Sequence, residues 1–210
     1  MVGGGGSGSP TTTSAAADTT GSAPADATFA GIPQHGDTLG DPSAPSTLTV
    51  FEDPQCPYCR AWNIETLPTV VNDYVRTGRL KVVYRGIEII GPNSQQGLRA
   101  IYAAGKQNKL WDMAEALYRV QGGENSGWIT SSVIADAAHA AGANPSRVHA
   151  DASTPSVTAA LRLATRQAQV AGVPGTPTFI LQRPPGLPRM LNIAGLDVPQ
   201  FEAGLDQALG

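Results

Sequence analysis

Residues 47–60 read TLTVFEDPQCPYCR and contain both cysteines of the 210-residue chain, Cys56 and Cys59. The β-branched run before them, residues 47–52, predicts a strand that is bounded by Pro54. The cysteines then stand three positions apart, at the point where a new element must begin. This stretch is the starting point for predicting the fold, because a strand that leads into a Cys-x-x-Cys motif indicates which elements to expect on either side.

An apolar series with helical spacing follows the cysteines, at Leu67, Val70, Val71, Tyr74 and Val75. Gly78 is predicted to close this helix. Pro68 is predicted to kink it by removing one backbone hydrogen bond. Residues 80–85 then predict a second strand. The unit is therefore strand, Cys-x-x-Cys, helix, strand.

The middle of the chain is predicted to be entirely helical. Ser94 can cap the first of five helices, Gly122-Gly123 stop the second, and Gly142 ends the third. Asn144-Pro145 and Thr154-Pro155 each place a capping residue before a first-turn proline. The aliphatic stripes of these helices are typical of a packed core rather than of a cofactor site.

Strand character returns at residues 178–182 and 189–193, with Pro184-Pro185-Gly186 as a hairpin loop between them. Asp197 is predicted to cap a final helix that has Pro199 in its first turn. Two β-rich pieces thus flank a helical block. The sequence predicts one α/β domain with an α-helical insertion.

Composition narrows the function classes. Hydrophobic residues make up 41% of the chain, enough for a core, and the net charge of -3 argues against a nucleic-acid partner. No apolar run reaches the roughly 18 residues that a membrane span needs. Residues 1–27, rich in Gly, Ser, Thr, Ala and Pro, predict a flexible tether without signal-peptide features. Such a tether suggests an upstream anchor or signal in the native protein, with a cloning linker as the alternative.

Two purely structural roles for the cysteine pair have little support in the sequence. A structural disulfide across so small a loop would remove little entropy from the unfolded chain. A structural zinc site needs about four nitrogen or sulfur ligands, whereas the histidines, His35, His139 and His149, are scattered. The sequence therefore favours redox chemistry and predicts no metal site.

The position of the pair at a helix start has a chemical consequence. The first sulfur would lie at the positive end of the helix dipole, among unpaired N–H groups that favour the thiolate. We expect Cys56 to be the exposed attacking thiolate and Cys59, one turn further in, to be the resolving thiol. Exchange would then proceed through a mixed disulfide on Cys56.

A second motif lies far down the chain, where residues 172–179 read GVPGTPTF. Pro177 stands immediately before a predicted strand, with Gly175 close by. A proline in this setting is a candidate for a cis peptide bond, although an ordinary trans bond at the end of a loop is the alternative.

Taken together, the Cys-x-x-Cys unit and this proline loop resemble the thioredoxin superfamily, and residues 29–210 resemble its DsbA-like branch. The resemblance implies a thioredoxin-like fold in two parts, residues 28–91 and 172–210, with residues 92–171 as the helical insertion. It implies that Pro177 is a cis-proline packed on the disulfide, in a loop shared with Gly175, and that Thr176 faces the substrate. The active-site dipeptide would be Pro57-Tyr58, which is also the glutaredoxin signature, so it leaves the direction of electron flow open.

The resemblance also concerns a buried proton-relay acid. Many relatives carry a buried acid six residues before the first cysteine, where this chain has Val50. Glu52 and Asp53 are the nearer candidates. Asp53 could equally cap the turn at Pro54, so the choice stays open.

The leading functional hypothesis is an extracytoplasmic dithiol oxidase that introduces disulfides into reduced, unfolded exported proteins. The insertion, the tether and the lack of other cysteines favour it. The resemblance implies a membrane partner for reoxidation, a quinone-linked enzyme of the DsbB or vitamin K epoxide reductase type. No metal or organic cofactor is needed, and nothing demands more than a monomer. A reductase or isomerase of the same fold, or a non-catalytic thioredoxin-like binding domain, are the alternatives.

Overall fold

The computed structural model describes residues 1–4 and 28–210, so most of the predicted tether lies outside the described residues. The described part contains a mixed six-stranded sheet in the order β1-β2-β4-β3-β5-β6. Its strands are β1 (Gln34–His35), β2 (Thr38–Leu39), β3 (Ser46–Glu52), β4 (Leu80–Gly86), β5 (Thr178–Gln182) and β6 (Arg189–Met190). Strands β3 and β4 are parallel, whereas every other pair is antiparallel.

The central strand β3 is covered on both faces. Leu48 and Val50 point into the main core, and Phe51 points the other way and packs with Ile87 and Ala164. A strand buried on both faces is typical of α/β sheets. The two strands predicted around the cysteine motif are confirmed, and the structure extends each by one residue.

The polypeptide stays helical from the cysteine motif to Val75. Helix α1 (Pro57–Ala61) runs into a π-helical segment (Trp62–Thr66), then α2 (Leu67–Val70) and a second π-helical segment (Val71–Val75). Pro68 therefore does not end the helix, and a π-helical turn lies directly before it. Gly78 adopts φ +73°, which confirms the predicted helix end.

Five helices lie between β4 and β5 in the chain. They are α3 (Ser94–Gly105), α4 (Leu110–Arg119), α5 (Ser131–Ala140), α6 (Pro145–Asp151) and α7 (Pro155–Ala171). The Asn144 side chain accepts a hydrogen bond from the Arg147 N–H, as predicted for a cap. Helix α7 returns to the sheet, where Ala164 and Ala168 pack on its outer face.

The final helix, α8 (Val198–Leu209), is capped as predicted: Asp197 accepts a hydrogen bond from the Gln200 N–H at 3.2 Å. Ser94, in contrast, was wrongly predicted as a cap. Helix α3 has Asn93 at that position, and the Ser94 hydroxyl turns inward to donate to Asp53 at 2.6 Å. No described helix has both the length and the apolarity that a membrane crossing requires.

Both edges of the sheet differ from the predicted pattern. The β1–β2 hairpin was not predicted, because two-residue strands are too short to show alternation. Its position is fixed by pairing with β4, where Thr38 lies opposite Val83. The strand predicted over residues 189–193 is only Arg189–Met190, after which a single bond from the Leu191 N–H to the Phe179 carbonyl continues the contact.

Candidate active site

Cys56 occupies the cap position of α1, and Cys59 lies in its first turn. Both are free thiols, so the structure describes the dithiol form. Cys56 is only 3% exposed and Cys59 is fully buried. The prediction of an exposed Cys56 was therefore wrong. The reason is that the loop before β5 and the segment after α4 both contact Cys56, through Thr176 and Gln121.

The pKa of the Cys56 thiol is lowered to about 6. The main cause is a hydrogen bond from the Cys59 thiol, and the Thr176 side chain and the backbone N–H groups of Cys59 and Tyr58 act in the same direction. Burial opposes them, because it penalises the charged thiolate. The donors outweigh burial, so at neutral pH the sulfur of Cys56 is mostly thiolate.

Cys59 behaves in the opposite way. Burial raises the pKa of its thiol, and the hydrogen bond to Cys56 and the nearby Glu52 carboxylate raise it further. The two sulfurs thus divide the roles, with a ready nucleophile at Cys56 and a thiol at Cys59 that needs a base.

The loop before β5 completes the sulfur environment. The Thr176–Pro177 peptide bond is cis, as predicted. The Thr176 carbonyl oxygen lies 3.1 Å from the Cys56 sulfur. The Thr178 hydroxyl holds the loop by donating to the Gly175 carbonyl at 2.7 Å. Two segments that are distant in the sequence therefore meet at Cys56.

Glu52 is a fully buried acid beside this pair. Its carboxylate accepts hydrogen bonds from Trp62 Nε1 at 3.1 Å, Asn63 Nδ2 at 2.7 Å and the Tyr118 hydroxyl at 2.8 Å. Burial nevertheless raises its pKa to about 8. The same Asn63 amide also donates to the Cys59 carbonyl at 2.9 Å, which links the acid to the second cysteine.

Asp53 has a different environment. It accepts hydrogen bonds from the Gln55 N–H, the Ser94 hydroxyl and the N–H groups of Ile89 and Ile90, all within 2.9 Å. These bonds fix the turn before Cys56 and tie it to the loop that follows β4. The geometry therefore gives Asp53 a structural role, which was the alternative left open for this residue.

The position of Glu52 follows from the pleat of β3. Side chains two residues apart share one face of a strand, so Glu52 lies on the same buried face as Val50. A carboxylate at residue 52 is thus one pleat nearer to the cysteines than one at residue 50. This explains how an acid can serve the site although the expected position holds valine.

Four residues of the site were missed from the sequence: Trp62, Asn63, Tyr118 and Gln121. Asn63 carried a weak signal, because it lies one helical turn after Cys59 on the same face. Tyr118 and Gln121 carried none, since they come from α4 of the insertion and from the segment that follows it. Gln121 donates to the carbonyls of Pro54 at 2.8 Å and Cys56 at 3.1 Å, and so clamps the cysteine loop.

A groove of about 330 Å³ runs beside the proline loop. Its walls are partly apolar and include Tyr58, Pro177, Phe179, Met190, Ile193 and Leu196. Tyr58, between the two cysteines, is 67% exposed and marks the end nearest the sulfurs. Among the described residues, no cluster of three or more histidine, cysteine or acidic side chains could hold a metal ion.

A family model described as thioredoxin matches residues 34–183. The probable disulfide bond formation protein D of Bacillus cereus is 30% identical over 99 residues, or 46% of each chain. Disulfide bond formation protein D of Bacillus subtilis is 28% identical over 102 residues, 48% of this chain and 46% of the relative. The matches thus span about half the length of these curated relatives.

Solved structures extend the likeness over most of the fold. Oxidised BdbD of Bacillus subtilis aligns with a TM-score of 0.71 at 20% identity, over 85% of this chain and 96% of that one. A thioredoxin-like oxidoreductase from Silicibacter pomeroyi aligns with a TM-score of 0.65 at 26% identity, over 84% and 91%. The predicted thioredoxin-like α/β fold is thereby confirmed.

Proposed function

This chain belongs to the thioredoxin family, and we propose that it is a thiol–disulfide oxidoreductase that works as a dithiol oxidase outside the cytoplasm. The observation that carries the proposal is the state of Cys56. Its sulfur lies at a helix N-terminus, where it accepts hydrogen bonds from the Cys59 thiol and from the N–H groups of Cys59 and Tyr58, and its thiol has a pKa of about 6.

A low pKa at the first cysteine favours an oxidant. Whatever stabilises the thiolate stabilises the reduced protein, and a stable reduced form makes the disulfide easier to donate. The value for Cys56 lies between about 7 for thioredoxin and about 3.5 for DsbA. We expect a reduction potential between about -270 mV and about -120 mV, the values for those two proteins.

The oxidase cycle follows from the roles of the two sulfurs. A substrate thiolate attacks the Cys56 sulfur of the disulfide, which forms a mixed disulfide and expels Cys59 as a thiolate. A second substrate thiolate then attacks the substrate sulfur of the mixed disulfide. The substrate leaves with a new disulfide, and Cys56 and Cys59 remain as the dithiol. Two electrons pass from substrate to protein, and the Cys56–Cys59 pair serves as the only redox centre.

Glu52 supplies the proton in this cycle. With a pKa of about 8 it is mostly protonated at neutral pH, so it can protonate the departing Cys59, whose own thiol strongly favours the neutral form. In the reverse direction the Glu52 carboxylate accepts that proton. Asp53 has no part in the relay, because its oxygens are already occupied by the turn.

The groove beside the loop suits an extended, partly apolar segment of a reduced protein. Backbone groups at Gly175 and Thr176 can pair with such a segment as an added strand, next to Pro177 and the sulfurs. We propose reduced exported proteins as substrates and a membrane quinone-linked enzyme of the DsbB or vitamin K epoxide reductase type as the reoxidant. The acidic balance of the chain, -3, supports a protein rather than a nucleic-acid partner.

Refolding of a reduced substrate tests the activity. The oxidised protein, mixed with reduced, unfolded ribonuclease, is expected to restore ribonuclease activity. Cys56→Ser should restore none. Cys59→Ser, first loaded on Cys56 with 5-thio-2-nitrobenzoate as a mixed disulfide, should exchange that group for a ribonuclease thiol, release 5-thio-2-nitrobenzoate, and give a protein–protein mixed disulfide that mass spectrometry can detect. Failure of the wild type to restore activity would exclude the oxidase.

Two alternatives are separated by further measurements. A potential near -270 mV against glutathione would indicate a reductase. The second alternative is a non-catalytic binding domain, for which the burial of Cys56 is the supporting observation. In that case Cys56 should react with an alkylating reagent no faster than an ordinary thiol does. Rapid alkylation at pH 7 would exclude the binding domain.

A further inference from the structure

We propose that Tyr118, a residue of the helical insertion, is a positioning residue that lets Glu52 change its protonation state while both groups stay buried. The inference rests on the proton-relay role of Glu52 in the proposed function. It assigns to the insertion a direct part in the chemistry of the second cysteine.

The carboxylate of Glu52 has three partners, and they are not equivalent. Trp62 Nε1 and Asn63 Nδ2 can only donate a hydrogen bond. The Tyr118 hydroxyl can donate and accept. It lies 2.8 Å from Glu52 Oε2 and 3.2 Å from the Asp53 carbonyl oxygen, so it has two acceptors for its single proton.

This geometry satisfies both states of the acid. When Glu52 is ionised, the Tyr118 hydroxyl donates to Oε2. When Glu52 is protonated, the hydroxyl donates its hydrogen bond to the Asp53 carbonyl and accepts a hydrogen bond from the O–H of the carboxylic acid. A buried polar group without a partner is costly. A phenylalanine at residue 118 would remove one of the donors to the ionised carboxylate, which keeps Trp62 and Asn63, and would remove the acceptor for the O–H of the protonated acid.

Other titratable groups surround Glu52 and bear on its pH dependence. Cys56 and Cys59 lie on the side of α1, and Asp53 follows Glu52 in the chain. Tyr84 and Tyr102 face it from β4 and α3 and interact with its charge. Of these tyrosines, Tyr84 is fully buried but its hydroxyl has no hydrogen-bond partner among the described residues. It therefore provides a matched control, since Tyr84→Phe removes a hydroxyl near the same acid without removing a bond to it.

The step to be measured is the resolution of a mixed disulfide. The Glu52 carboxylate takes the proton of the Cys59 thiol. The Cys59 thiolate then attacks the Cys56 sulfur, which forms the Cys56–Cys59 disulfide and releases the bound thiol as a thiolate. With 5-thio-2-nitrobenzoate on Cys56, release is a colour change that can be followed against pH. The assay does not depend on which direction the protein serves.

The wild-type rate should rise with pH around a midpoint near 8, the pKa of Glu52. Tyr118 bonds to both forms of Glu52, but the bond it donates to the carboxylate is charge-assisted and therefore stronger than the one it accepts from the neutral acid. Tyr118→Phe should therefore move the midpoint up by about one pH unit and slow release at pH 7 about tenfold. Tyr84→Phe should leave the midpoint unchanged. In a Glu52→Gln background, Tyr118→Phe should have no further effect.

Three results would overturn the assignment: a Tyr118→Phe profile that superimposes on the wild type, an equal shift in Tyr84→Phe, or undiminished slowing in the Glu52→Gln background.

If Tyr118→Phe does not fold, 3-fluorotyrosine at all tyrosines keeps the sequence intact and makes each phenol a stronger donor. The midpoint should then fall, also in labelled Tyr84→Phe, and an unchanged midpoint would overturn the proposal. If the midpoint shifts but the wild type does not refold ribonuclease, only the oxidase function is refuted. If the wild type refolds ribonuclease but the midpoint does not shift, only the positioning role of Tyr118 is refuted.

Discussion

The carbonyl oxygen of Thr176 lies 3.1 Å from the sulfur of Cys56, although 120 positions separate the two residues in the chain. Residue 176 acts on that sulfur in two ways. Its carbonyl can only accept a hydrogen bond and so favours the protonated thiol, whereas its side chain lowers the pKa. The balance between these contacts is one determinant of how oxidising the pair is.

Replacing Thr176 with valine should raise the pKa of Cys56. The change removes the side-chain hydrogen bond and keeps the carbonyl and the shape. We expect a rise of about half a unit to one unit, measured from the ultraviolet absorbance of the thiolate against pH. Thr165→Val is the control, because the exposed Thr165 hydroxyl bonds only to the Leu161 carbonyl in its own helix. An unchanged Cys56 pKa in Thr176→Val would contradict the assignment.

The reduced protein should gain stability with pH relative to Cys56→Ser. The folded pKa of Cys56, about 6, lies below the ordinary value of 9.0. Its contribution is therefore complete above pH 9 and is lost as the pH falls through 6. Urea unfolding under reducing conditions should show the difference in unfolding free energy growing by about 2–4 kcal/mol from pH 6 to pH 9. A constant difference would rule out a stabilised thiolate.

The stability of Glu52→Gln relative to the wild type should rise with pH. The folded pKa of Glu52 is raised from 4.5 to about 8, so its favourable contribution is complete below pH 4.5 and is lost as the pH rises through 8. The stability of the variant relative to the wild type should increase over this window by at most about 5 kcal/mol. Urea unfolding at several pH values measures this, with the exposed Glu124→Gln as control. A decrease would show that Glu52 is ionised in the folded state.

Removing the clamp on the cysteine loop should cost stability. Gln121→Ala deletes the amide that donates to the Pro54 and Cys56 carbonyls, which should lower the free energy of unfolding by about 1–2 kcal/mol. It should also speed the alkylation of Cys56, because Gln121 contacts that residue. Gln96→Ala, at an exposed position on α3, should change neither quantity. Equal effects of the two variants would show that Gln121 has no clamping role.

Local patterns in the sequence predicted much of the fold. Asn144 and Asp197 cap helices as expected, since a capping side chain bonds to its own neighbours. Ser94 has the same local character but forms its bonds with Asp53, 41 positions away. Short-range rules cannot anticipate such a partner.

The choice between the two candidate acids shows the same limit. Glu52 and Asp53 are adjacent, and the pleat alone places only Glu52 on the face shared with Val50. Their roles become distinct only in the folded protein. There α4 brings the Tyr118 hydroxyl to Glu52, and the loop after β4 brings two backbone N–H groups to Asp53. The burial of Cys56 was missed for a related reason, because its cover comes from segments more than 60 positions away.

The sheet ends on both sides in strands of only two residues, Gln34–His35 and Arg189–Met190. Such stubs present few unpaired N–H and C=O groups to another polypeptide. A protein that acts on unfolded chains meets backbones that readily pair with an exposed sheet edge. Other copies of the same protein can pair with such an edge as well. Under the proposed function, short edge strands would keep the protein from pairing with its unfolded substrates at the sheet edges, so that such substrates bind in the groove beside the sulfurs.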